Sequence, residues 1–318
     1  QDVIWIDDRY MSSFLRRGNN QIVSITEVLK LLVVMKALTQ DAYYEKLIKL
    51  REAGVYYLPI TPEELFYTLG TAPIEGYRLI ETANLRILRQ YIAGCLLRGT
   101  WLQRPPLPNT APNPKGELDF VLENKHSILN VLQLLWSDES QDLENRIAKS
   151  TWLLECLDLD IASLRWSVWT KPVQDDLYVL ATDLAGYLSV GMLGPLPTSS
   201  RTRFRHTDYF AWLMQHLIGP RIRTEPSLIQ LIAASIKQEL QAVVYSLPDV
   251  AGSDAASNEQ AKAILGNVYH KLPEVFQAVL QEDADFTRSI GIEILTVAKV
   301  GNLRFEFSQY AEAVATCL

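Results

Sequence analysis

Cysteine is scarce in this sequence: Cys95, Cys156 and Cys317 are the only three in 318 residues. They lie far apart, without zinc-site spacing, and an odd, scattered set does not build a disulfide framework. A reducing cytoplasm is the expected setting. Long apolar runs are missing too. No stretch reaches the roughly 18 uninterrupted apolar residues of a membrane span, and the start lacks the basic and apolar regions of a signal peptide, so no membrane partner is expected. There is no glycine-rich phosphate loop, dinucleotide fingerprint or nucleophile triad pattern, so neither a nucleotide cofactor nor covalent hydrolysis is indicated. An excess of positive charge is also lacking. A net charge of −7 excludes a wholesale nucleic-acid coat but leaves room for a local basic patch.

What is present describes a folded chain. Hydrophobic residues make up 48%, and the length suffices for two or three domains. The first residue is Gln, a strand pattern follows at once, and the sequence stops after a helix-like run at Cys317-Leu318. A fragment of a longer polypeptide is expected.

The chemistry is concentrated at the start. Val3-Ile4-Trp5-Ile6 runs into Asp7, Asp8 and Arg9, an apolar strand followed by two carboxylates and a guanidinium. A helix is expected over 9–17, stopped by Gly18, and a second strand over 21–25. Residues 27–38 are apolar almost all round, which predicts a helix covered on several sides. Thr39 caps the next helix, whose inner face is Tyr43, Leu47 and Leu50 and which ends at Gly54. Val55–Leu58 reads as a third strand. Thr61-Pro62-Glu63-Glu64 is a helix start with Thr61 as cap, Pro62 in the first turn and Glu64 closing a capping box. The order predicts a small parallel sheet with helical crossovers, whose carboxyl edge is where ligands bind in such folds.

This run, with its acidic pair after a strand, the Val28-Leu29 helix and the Gly54-Val55-Tyr56-Tyr57 stretch, resembles the C-terminal half of a PIN-like metal-dependent nuclease domain over about residues 2–70. The resemblance implies RNA cleavage with Mg2+ or Mn2+. Asp7 and Asp8 would be two of the catalytic, metal-holding acids, with Arg9, Ser24 and Thr26 near the substrate. Two departures stand out. Ser24-Ile25 replaces the small residue–threonine pair of many relatives, and the family's first acid and a further helix-borne acid are not in this sequence. The chain alone is therefore not expected to cleave RNA. The residues by themselves also admit blander readings: the acids cap the next helix with Arg9 as a local ion pair, or they open a receiver-like signalling domain. The latter lacks an acidic residue closing 21–25 and a later strand-Lys-Pro.

The remainder reads as helical. A long helix is expected over 77–98, then a proline-rich loop over 104–116. Further helices are expected over 118–136, 142–157, 161–169, 175–193, 208–218 and 227–247. His126 is expected to be packed or half-buried rather than a metal ligand, and Trp152, Trp166 and Trp169 to be core aromatics. Arg201, Arg203 and Arg205 form the one concentrated basic run, a weak RNA-contact candidate, with Arg221 and Arg223 bracketing the next helix. Two helices split by Pro273 follow (259–271 and 274–282), then a small β-hairpin around Gly301-Asn302 and a last helical run over 307–316. The fold class expected is mainly α: a short parallel α/β segment, PIN-like and incomplete, then a multi-helix array and the hairpin. The division expected is 1–75, 76–246 and 247–318. Three functions follow: a PIN-like ribonuclease region fused to a helical scaffold or sensor, in bacterial stress response or defence by analogy of architecture; a non-catalytic helical module that binds protein, RNA or other domains of the same polypeptide; and a receiver-like signalling domain.

Overall fold

Strand β1 (Val3–Trp5) pairs in parallel with β3 (Asn20–Val23), in the register Val3↔Gln21, Ile4↔Ile22, Trp5↔Val23. The computed structural model describes residues 3–5, 16–17, 20–55, 58–97, 117–158, 174–192, 204–246, 266, 269–289, 297–300 and 303–306. The other partner of β3 is β2 (Arg16–Arg17), which runs antiparallel to it. The sheet is therefore mixed, ordered β1-β3-β2. Arg16 and Arg17 were expected at the end of a helix. They form instead the short strand whose Arg17 pairs with Asn20. The expected third strand falls partly outside the described residues.

Helix α1 (Ile25–Val34) starts directly after β3. It ends sooner than expected because Lys36 takes a left-handed conformation, φ +58. The Lys36 amide then donates to the Val33 carbonyl and the Ala37 amide to the Leu32 carbonyl, both at 2.9 Å, the two bonds of a Schellman stop. Helix α2 (Gln40–Glu52) stops the same way, with Gly54 at φ +79 and bonds from Gly54 to Arg51 and Val55 to Leu50. Leu29, Tyr43, Tyr44, Leu47 and Leu58 form the core here, flanked by Leu32, Val33, Leu50 and Tyr67. Complete burial of one such leucine stabilises by roughly 1.5–3 kcal/mol. The outer face of α1 and its C-cap residue Met35 depart from expectation: Leu31, Val34 and Met35 are 56%, 77% and 65% exposed.

Helix α3 (Pro62–Gly70) begins as the sequence predicts, its cap Thr61 accepting from the Glu64 amide at 3.3 Å. Residues 77–82 are not helical as expected. β4 (Ile74–Glu75) and β5 (Arg78–Leu79) form a hairpin turning on Gly76, φ +57, and Thr82 caps α4 (Ala83–Leu97) through the Leu85 amide. Helices α5 (Glu117–Ser137) and α6 (Leu143–Cys156) match the predicted spans. They are tied by the Trp136 indole donating to Ser150 Oγ at 2.9 Å. Asp142 caps α6 through the Asn145 amide. Trp152 is buried as expected, but His126 is exposed; the apolar stripe of α5 turns away from it.

The chain divides into two compact units, Gln1–Leu180 with Gly194–Arg205, and Ala181–Leu193 with His206–Leu318. The second contains the end of α7 (Gln174–Met192), then α8 (His206–Leu213), a π-helical turn (Met214–Ile218) and α9 (Gly219–Thr224) without a break. The helix thus runs past its expected end, and Arg221 and Arg223 lie in its last turn, where cations suit the helix dipole. Pro220 explains the π turn. It has no N–H for the usual bond four residues back, and the Gly219 amide reaches Met214, five back. Tyr209, fully buried, donates to the Tyr187 carbonyl at 2.7 Å. Helices α10 (Leu228–Ser246), α11 (Glu274–Gln281) and α12 (Ala284–Ser289) follow. The predicted hairpin is present as β6 (Val297–Val300) and β7 (Leu303–Glu306), closing from Val297↔Glu306 to Val300↔Leu303. The protein is mainly α, as the sequence predicts.

Candidate functional site at the sheet edge

Parallel pairing sets the geometry of the site. Because Trp5 pairs with Val23, the carboxyl ends of β1 and β3 lie side by side. The residues that follow β3 are Ser24, Ile25 and Thr26; those that follow β1 in the sequence include Asp7, Asp8 and Arg9. Asp7, Asp8, Arg9, Arg201 and Arg203 lie outside the described residues.

Ser24 and Thr26 are buried, 1% and 7% exposed, and their hydroxyl oxygens are 2.7 Å apart. The Ser24 amide donates to Glu27 Oε2 at 2.7 Å, and the Ser24 hydroxyl donates to the same carboxylate. This is the reciprocal half of a capping box. The two hydroxyls thus work locally to start α1. Glu27 is a third candidate of the edge that residue-by-residue reading missed, although the Ser-x-x-Glu spacing that marks it is plain in the sequence. Arg205 is exposed, and its amide donates to the Trp136 carbonyl at 3.4 Å, so it is anchored on α5.

Behind α1 the support is polar as well as apolar. Glu64 was expected to reach back to its own helix start. Its carboxylate instead takes both Arg51 terminal nitrogens, Nη1 to Oε1 and Nη2 to Oε2 at 2.8 Å. Arg51 Nη2 also donates to the Pro59 carbonyl at 2.9 Å. A buried guanidinium needs such a partner more than an exposed cap does. The Tyr91 hydroxyl accepts from the Leu58 amide at 2.8 Å and donates to the Val55 carbonyl at 2.9 Å, pinning both ends of that stretch. Burial, with Glu64 nearby, pushes the Tyr43 phenol up to about 12.

Among the described residues no group of three His, Cys, Asp or Glu side chains is placed to hold a metal ion. Glu27, the one acid described at this edge, has its carboxylate taken by the Ser24 amide and hydroxyl. No helix among the described residues is long and apolar enough to cross a membrane. No family model, curated protein or solved structure matches the chain.

Proposed function

We propose that residues 2–70 form the acid-bearing part of a PIN-like nuclease region acting on RNA, and that the helical remainder is its scaffold or sensor. The parallel β1–β3 register carries this reading: both strands end at one sheet edge, the edge where such folds place their ligands. Asp7 and Asp8 would hold the divalent cation, which when bound acidifies water and offsets charge on a scissile phosphate. Ser24 and Glu27, locked together at the start of α1, would keep the β3 end of that edge rigid. The family's first strand-end acid and a helix-borne acid are not in this sequence: either they lie upstream and this chain would supply part of the acidic set, or the domain is a degenerate relic.

The test uses the chain with any sequence that precedes it in its full polypeptide. Mn2+-dependent cleavage of single-stranded RNA is expected, with Asp7→Asn and Asp8→Asn each lowering it by about two orders of magnitude or more. Unchanged cleavage in both variants removes these acids from the mechanism.

A second reading, a non-catalytic protein-binding module, draws on the exposed Leu31 and Val34 of α1 and its C-cap residue Met35. Scattered exposed apolar residues are ordinary, but three at one helix end fit a partner surface. Metal-independent capture of a protein partner that is lost in Leu31→Asp, with no cleavage, would favour it.

A further inference from the structure

The β4–β5 hairpin and helix α6 line a half-open cleft of about 370 Å3. Its floor is apolar: Leu79, Ala148 and Trp152 are 6%, 2% and 7% exposed. On β5 Leu79 is buried and its neighbour Arg78 is exposed. Glu81 also lines the cavity, but its charge is already met. Arg89 grips it at 2.7 and 3.0 Å, Arg86 lies at 3.7 Å, and Trp152 hydrogen-bonds to it.

Two charges remain on the lining. Arg78 is carried by the hairpin and Glu155 by α6, and both are exposed. Among the described residues neither has an ion-pair or hydrogen-bond partner, and they do not pair with each other. The lining therefore combines a buried apolar floor with one cationic and one anionic residue, carried by different elements.

We propose that this cavity binds a free α-amino acid with an apolar side chain. The ligand carboxylate meets the Arg78 guanidinium, a planar fork suited to it. The ligand ammonium meets Glu155. The side chain rests on Trp152 and Leu79, a surface that penalises a charged or strongly polar one. The volume is at the small end of the range for ligand pockets, roughly 300–1,000 Å3, which admits an amino acid more readily than a nucleotide. The proposal is independent of the nuclease reading.

Calorimetric titration of the full chain with L-phenylalanine and L-leucine tests it, with 3-phenylpropionate, phenethylamine and glycine as probes that each lack one recognition element. Saturable binding of at least one of the two amino acids is expected, with each incomplete probe weaker by about tenfold or more. Arg78→Gln and Glu155→Gln, both at exposed side chains, are expected to keep the wild-type circular dichroism. Each should weaken the amino acid by about tenfold, and Arg78→Gln should leave phenethylamine unaffected. Binding of neither amino acid by the folded wild type overturns the proposal. So does binding that neither substitution weakens, or phenethylamine binding as tightly as L-phenylalanine.

Discussion

Arg51 and Glu64 meet as a two-point ion pair from which water is wholly excluded: neither side chain has any exposed surface. The guanidinium also lies 5.7 Å from the centre of the Tyr91 ring. Removing one partner strands a buried charge, a loss of about 3–5 kcal/mol. Arg51→Ala and Glu64→Ala are each expected to lose that much in urea unfolding. The double variant Arg51→Met/Glu64→Leu should recover most of it, because two apolar groups of similar volume leave no charge unmatched. Fully additive losses in the double variant would refute the account.

Lys36 occupies a left-handed position that Gly54 fills at the equivalent point of the next helix. The same two Schellman bonds form at both stops, so only the cost of a side chain at positive φ differs. That cost is about 1–2 kcal/mol, partly returned to the unfolded chain as extra glycine freedom. Lys36→Gly should therefore raise stability by about 0.5–1 kcal/mol. A lower melting temperature would contradict this.

At Gly191, α7 packs closely against α8. A β-carbon there would stand 2.7 Å from two Phe210 ring carbons and 2.8 Å from a Tyr209 ring carbon. The Gly191 carbonyl also faces His206 Nδ1 at 2.6 Å; a carbonyl only accepts, so that nitrogen carries the hydrogen. Gly191→Ala is expected to destabilise by about 1–3 kcal/mol through overpacking. Phe210→Leu added to it should restore part of the loss, which a cycle of the two single variants and the double would measure.

Glu239 accepts a hydrogen bond from the Ser189 hydroxyl, and burial raises its carboxyl above the ordinary range. The folded state thus keeps this proton at a pH where the unfolded chain has released it. The resulting stability is present below the ordinary carboxylate value and is lost as pH rises through the raised one. Glu239→Gln should flatten that part of the stability–pH curve. A curve of unchanged slope would remove Glu239 as its source.

Helices with clear caps and apolar spacing were legible residue by residue. Thr39 and Thr61 cap as the sequence predicts, and the expected hairpin is found as the antiparallel β6–β7 pair. Strands two residues long were not legible, because β2, β4 and β5 are too short to show a period of two. The glycines beside them were the usable signal. The partner of Glu64 was illegible for a different reason: a capping box is local, whereas Arg51 competes for the same carboxylate from another helix. At the sheet edge, the Ser24 and Thr26 positions follow from the strand end, and Glu27 needed only the box spacing already applied at Thr61. The cavity has one wall from 77–81 and another from 148–156, and no local pattern links segments so far apart.

The π turn at Met214–Ile218 amounts to one residue more than a regular helix would use, absorbed on the spot. Without that bulge, an added residue would swing every later side chain by about 100° around the axis. With it, the faces before and after the turn keep a common phase. Shortening the segment by one residue while replacing Pro220 with Ala should straighten the rod and leave its outward and inward faces where they are, whereas the deletion alone pits a missing N–H against a ladder with no slack.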